Sequence, residues 1–268
     1  MLGDTYLFID GAYLKTVYRD VFAPLFGDKY AVDYKTVKET FGARRVFLYD
    51  CLDDVQRAGE SDAEFKSRVT QQEEHFDSID KVEGVHVRYG HLSPGKKRQQ
   101  KEVDVLLAVD MLTHAFTKNM DEAVLLSGDR DFKPVVESIV RHGTLVKVAY
   151  DSRTGSRPLA RAADSEMELD ITLLCNWIKL DKYEDRGKHF PYVAHQHNCN
   201  EDPFKLAPGY RSGVIGLEKL ALGICFQDHS KVWVTSVQIR PRDYTHFSFC
   251  DKAKLLDYLT VQFGGIKW

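Results

Sequence analysis

Apolar residues in the first half of the chain gather in short runs that end at acids. Residues 5–9 read Thr-Tyr-Leu-Phe-Ile and run into Asp10-Gly11, the pattern of a buried strand followed by a turn. Arg45 to Tyr49 repeats it and ends at Asp50. Val85 to Tyr89 is a third strand, Ala123 to Leu126 a fourth ending in Ser127-Gly128-Asp129, and Leu145 to Tyr150 a fifth. Between these runs the spacing turns helical over 12–22 and 33–41. Residues 60–81 are polar and rich in Glu and Gln, which predicts a solvated helix. Glu102 to Lys118 predicts a long, mostly apolar helix. Asp131 to His142 predicts another, with Pro134 near its first turn and Gly143 just past its end. Strands alternating with helices predict a parallel sheet covered on both faces.

The last third has a different texture. Pro191, Pro203 and Pro208 interrupt it, and then Ala221–Phe226 and Lys231–Ile239 flank a turn at residues 227–230 as a hairpin would. Thr245–Phe249 predicts a third strand, and Asp251 a cap for a helix over 252–263. The expected organisation is an α/β domain over residues 1–182 and a small α+β extension of β-β-β-α type over 183–268.

Composition narrows the class. Apolar residues make up 43% and charged residues 29%, which excludes intrinsic disorder. The formal charge of −3 argues against a protein that coats nucleic acid through bulk charge, but leaves room for a local basic patch. Five scattered cysteines without a CxxC are not a disulfide framework. No apolar run approaches the ~18 residues of a membrane span, and no secretory signal is visible. The expectation is a cytoplasmic protein with free thiols and no membrane contact.

Candidate chemistry follows from where the acids stand. Ligand sites of an open parallel sheet lie outside the carboxyl ends of its strands. Asp10 ends the first strand, Asp129 and Asp131 follow the fourth, and Asp104 lies in the first turn of the helix that starts at the same edge. An Asp at a strand end is ordinarily a turn former, and one early in a helix ordinarily serves the helix dipole. Four on one rim are different, because clustered carboxylates resist joint ionisation and a divalent cation relieves them. Mg²⁺ or Mn²⁺ suits oxygen ligands and can support in-line phosphoryl displacement. Asp110 has two readings, a water-mediated metal contact or an anchor for a neighbouring loop. Asp50 and Ser127 are expected to support the acids from behind, Asp50 with a turn role as its alternative.

Three stretches resemble the signature blocks of the NYN, LabA-like branch of the PIN-like nucleases. They are Phe8-Ile9-Asp10-Gly11-Ala12-Tyr13-Leu14, Lys101 to Leu112, and Leu125-Leu126-Ser127-Gly128-Asp129-Arg130-Asp131-Phe132. The resemblance covers about residues 5–165. It implies a three-layer α/β/α fold and metal-dependent RNA cleavage that leaves a 5′-phosphate and a 3′-hydroxyl. It implies catalytic and metal roles for Asp10, Asp104, Asp129 and Asp131, with Asp110 at a further commonly acidic position. Many members carry Asn where this chain has Tyr13.

Basic residues border the expected site. Lys96, Lys97, Arg98 and Lys101 follow the third strand, and Arg153, Arg157 and Arg161 follow the fifth, where they are expected to hold an RNA backbone. His195-x-His197-x-Cys199, near His189, lacks a second ligand pair at finger-like spacing and reads as a polar surface loop rather than a zinc site. Trp233, Tyr244, Phe247 and Phe249 either stack RNA bases or fill a core. Toprim-type sites want Glu at position 10, haloacid-dehalogenase phosphatases want an acid at Ala12, and no Gly-rich phosphate loop is present. The expected activity is a metal-dependent ribonuclease, an endonuclease acting on RNA of unspecified class. The alternative is a catalytically silent RNA-binding or scaffolding module. The extension leaves open a homo-oligomer or a protein partner.

Overall fold

The computed structural model describes residues 3–91, 102–180, 189–227 and 230–268. Contacts divide the chain into two compact units, Met1–Asp20 with Val32–Leu169, and Val21–Ala31 with Asp170–Trp268.

The first unit is built on β1 (Thr5–Asp10). Leu7, Phe8 and Ile9 are fully buried, as a central strand covered on both faces requires. Asp10 caps α1 (Gly11–Val17), which runs through a π-turn (Tyr18–Phe22) into α2 (Ala23–Phe26). Then come α3 (Tyr34–Thr40), β2 (Arg45–Leu52) and α4 (Asp62–Asp80). A capping box between Ser61 and Glu64 opens α4 and satisfies backbone donors its polar sequence would otherwise leave exposed. Next are β3 (Val85–His91), α5 (Val103–Phe116) and β4 (Glu122–Leu126). A 3₁₀ turn at Arg130–Phe132 precedes α6 (Lys133–His142), which ends at Gly143 with a left-handed φ of 93°. β5 (Leu145–Tyr150), α7 (Arg157–Ala160) and β6 (Ser165–Glu168) complete the unit.

All six strands pair in parallel in the order β3-β2-β1-β4-β5-β6. The strand order therefore reverses between β1 and β4, which makes their carboxyl ends the switch-point crevice of the sheet. The three-layer α/β expectation is met. β6 was not legible in the sequence, because its Ser-Glu-Met-Glu carries no apolar run and pairs only at the sheet edge.

The second unit contains α2, α8 (Ile171–Asn176) and a six-stranded antiparallel sheet. Its strands are β7 (Tyr192–Gln196), β8 (Arg211–Ile215), β9 (Leu220–Gln227), β10 (Val232–Arg240), β11 (Asp243–Phe249) and β12 (Ile266–Lys267). α9 (Lys252–Phe263), capped by Asp251, lies between β11 and β12 in sequence. The three predicted strands correspond to β9, β10 and β11, and the sheet extends beyond them on both sides in the order β12-β8-β9-β10-β11-β7.

One expectation is corrected. His195 lies in strand β7 and not in a loop, with its Nδ1 beside Thr245 Oγ1 at 3.0 Å. The aromatics of this unit fill a core: Phe247 and Phe249 are buried, and Tyr258 of α9 packs on Phe247 at 5.9 Å. Each such burial contributes about 1.5–3 kcal/mol. No helix among the described residues is long and apolar enough to cross a membrane.

Candidate active site

The register of the first sheet assembles the crevice. Ile9 pairs with Leu126, so the next residues, Asp10 and Ser127, meet at the strand ends. Ser127 is fully buried and donates its hydroxyl to Asp10 Oδ2 at 2.9 Å. The Tyr13 backbone N–H donates to Asp10 Oδ1 at 3.0 Å. Both oxygens of a carboxylate that is only 8% exposed are thereby fixed in direction. The Asp129 backbone N–H donates to Ser127 Oγ at 3.1 Å, and Asp129 Oδ1 accepts from the Asp131 N–H at 2.9 Å. Gly128 between them has no room for a side chain, since a Cβ would meet the Tyr13 ring at 2.4 Å.

Asp104 reaches this group from the first turn of α5. Burial raises the Asp10 carboxyl above its ordinary value, and the charges of Asp104 and Asp129 add to this against the two hydrogen bonds that lower it. Burial raises Asp104 likewise, helped by Asp129 and Asp131. Asp10 thus lies in the field of Asp104 and Asp129, and Asp104 in that of Asp129 and Asp131. Among the described residues none of the four has a Lys or Arg within ion-pair distance.

The other acids of the rim have their own cations. Asp50 is buried and takes Lys15 Nζ at 2.6 Å, with its Oδ1 also accepting from the Cys51 N–H. Asp110 accepts from the Tyr49 hydroxyl at 2.9 Å and lies 3.6 Å from Arg88 Nε. Burial and the Asp110 charge push the Tyr49 hydroxyl far above the ordinary tyrosine value, so it stays a donor.

One residue escaped the reading of the sequence. Asp151, 1% exposed at the end of β5, holds Arg153 at 2.6 Å and accepts from the Arg153 and Thr154 backbone N–H groups. The Tyr13 hydroxyl accepts from the Asp151 N–H at 2.9 Å and lies 3.2 Å from Thr154 Oγ1, which ties this loop to α1. The strand-end signal that singled out Asp10 also applies to Asp151. Arg153 therefore spends part of its guanidinium on Asp151, whereas Arg157 and Arg161 are exposed. Lys96, Lys97, Arg98 and Lys101 lie outside the described residues.

Among the described residues, no three His, Cys, Asp or Glu side chains stand in a geometry that holds a metal ion. The donor chemistry nonetheless suits a hard cation, because Mg²⁺ is commonly held by one or two carboxylates and several waters.

A six-stranded parallel sheet flanked by helices, with acids at its switch point, is consistent with the PIN-like α/β class. The family model described as the NYN domain matches residues 4–170, and the chain belongs to that family. NYN domains are part of the PIN-like nuclease superfamily and are generally nucleases. No curated protein matches the chain. Among solved structures it is similar to a protein of unknown function from Vibrio parahaemolyticus RIMD 2210633, at 16% identity and a TM-score of 0.46, over 66% of this chain and 97% of that one. It is also similar to a chitinase from Chromobacterium violaceum ATCC 12472, at 10% identity and a TM-score of 0.26, over 97% and 92% of the two chains.

Proposed function

We propose that the chain is a LabA-like ribonuclease that cuts RNA internally with the help of Mg²⁺ or Mn²⁺. The observation that carries this reading is the gathering of acids in the crevice: Asp10 feels the charges of Asp104 and Asp129, Asp104 those of Asp129 and Asp131, and none of the four has a cationic partner among the described residues. A divalent cation bound there supplies the countercharge and activates water for attack on phosphorus. Asp10 and Asp129 would hold the ion, their carboxylates oriented by Ser127, the Tyr13 N–H and the Asp131 N–H. Asp104 completes the charge from α5. Asp131 positions the attacking water and accepts its proton at a carboxylate oxygen. Arg157 and Arg161, exposed beyond β5, steady the RNA backbone. The reaction belongs in the cytoplasm, and the second unit is the place for a protein partner or a second copy.

The second reading is a silent RNA-binding module, and Tyr13, where many family members carry Asn, favours it. Incubation of purified protein with mixed RNA and Mn²⁺ separates the two. Cleavage that disappears in Asp129→Asn supports the nuclease. RNA binding without turnover under any divalent ion supports the silent module.

A further inference from the structure

The first unit has a second polar feature, at the far end of the helix that delivers Asp104. α5 carries Asp104 in its first turn and His114 in its last. Ten residues separate them, about 15 Å along the axis. Near His114 a cleft of about 360 Å³ is lined by Arg45, Phe47, Asp80, His86, Arg88 and His114.

Register explains why these residues meet. Arg45 pairs with Tyr6, Phe47 with His86, and Tyr49 with Arg88, so alternate residues of β2 and β3 share the face that α5 covers. Edge strand β3 is therefore two-sided. Tyr89 stacks on Phe76 of α4 on one face, while His86 and Arg88 stand on the other. An edge strand packed on both faces would be apolar on both. Here the α5 face carries nitrogen donors instead.

These donors are held in place. The His86 and His114 rings both stack on Phe47, with centroids 5.4 and 5.1 Å away and interplanar angles of 29°. The Arg45 guanidinium lies over the Tyr6 ring at 5.7 Å and has no carboxylate partner among the described residues. Asp80, the acid in the lining, is occupied by the Val87 N–H at 3.0 Å. Burial, with the two guanidiniums, holds His114 below the ordinary histidine value against the pull of Asp110. The permanent positive charges of the cleft are Arg45 and Arg88, and Arg88 is shared with Asp110.

We propose that this cleft binds a backbone phosphate of single-stranded RNA, downstream or upstream of the phosphodiester held at the crevice. The inference rests on the ribonuclease reading and adds a second point of contact along α5. Arginine suits this role because its planar fork matches phosphate oxygens. An RNA chain following α5 meets both sites, whereas a very short one meets only the first.

The test uses the full chain with Ca²⁺ in place of Mn²⁺, so that the crevice keeps a countercharge while cutting is suppressed. Fluorescence anisotropy compares a labelled trinucleotide of uridine with an oligouridylate of about 15 nucleotides, near the upper range of single-strand site sizes. Arg45→Ala is expected to weaken the long RNA about five- to tenfold and to lower its log–log salt slope by about 0.7, the loss of one phosphate contact. The trinucleotide is expected to bind as before, and Arg45→Lys to recover only part of the affinity, because an ammonium keeps the charge but lacks the planar fork. Unchanged binding of the long RNA by Arg45→Ala, in a variant with a wild-type melting curve, overturns the inference and leaves the ribonuclease reading intact. An equal loss on both RNAs also overturns it. Failure of the wild type to bind either RNA overturns both readings. Binding of a polyglutamate peptide in preference to RNA, lost in Arg45→Ala, replaces RNA with an acidic protein partner.

Discussion

Two sets of acids lie around the same parallel sheet, and they differ in what balances them. Asp50, Asp110 and Asp151 each have a cation: Lys15 at 2.6 Å, Arg88 at 3.6 Å and Arg153 at 2.6 Å. Among the described residues Asp10 and Asp129 take N–H and O–H donors, and none of Asp10, Asp104, Asp129 and Asp131 has a Lys or Arg partner. Each acid of the first set is balanced by a cation from its own unit. The second has no such cation among the described residues, which is the basis of the metal site proposed above. Proximity to the rim alone does not separate the sets. The partner does.

The largest effect expected from breaking this contrast is on activity. Asp129→Asn is expected to lower RNA cleavage on the order of 10²- to 10³-fold, the scale of losing one preorganised electrostatic group. Gel analysis of RNA ends under Mn²⁺ measures it, and cleavage at the wild-type rate removes Asp129 from the site. Ser127→Ala sharpens the contrast from behind. It leaves Asp10 Oδ2 buried without its donor and is expected to cost about 1–3 kcal/mol of stability. Urea denaturation reads that loss, and an unchanged midpoint would show that Ser127 does not support Asp10.

Lys15→Ala probes the balanced set. Asp50 would lose its cation but keep the Cys51 N–H, and Lys15 itself is largely exposed, so about 1 kcal/mol is expected. Thermal melts with and without Mn²⁺ should show the same metal-induced shift as the wild type. A shift that vanishes in Lys15→Ala would place Asp50 in the metal site.

The smallest effect lies on the surface. Hydrogen bonds from Arg68, then from the Arg57 N–H, hold the Glu60 carboxyl down to about 2, from an ordinary 4.5. A depressed carboxyl stabilises the fold above its unfolded value, and that contribution fades as pH falls from about 4.5 toward 2. Glu60→Gln should flatten the acid limb of a stability–pH curve in that window. An unaltered limb would mean that the Arg68 contact has no weight in solution.

The crevice was legible in the sequence because its signal is local. Each acid terminates an apolar run or opens a helix, and a parallel sheet brings strand ends together whatever the loops do. The balancing cations were not legible. Arg88 reaches Asp110 from an edge strand, and Lys15 reaches Asp50 from the helix after β1, so both depend on sheet order. Asp151 obeyed the strand-end signal, but Arg153 and Arg157 beside it drew the reading toward RNA contacts. In the second unit, β7 reads Tyr-Val-Ala-His-Gln and β8 contains Gly213, so neither has the apolar alternation that revealed β9 to β11. Their pairing with neighbours makes them strands.

The central claim is that the second set binds a divalent cation. Isothermal titration of the metal-free full chain with Mn²⁺ tests it directly, with Asp10→Asn, Asp129→Asn and Asp110→Asn alongside. One site is expected in the wild type, lost in Asp10→Asn and Asp129→Asn and kept in Asp110→Asn, whose carboxylate answers to Tyr49 and Arg88. No Mn²⁺ binding by the wild type, or binding that survives Asp129→Asn, would contradict the account.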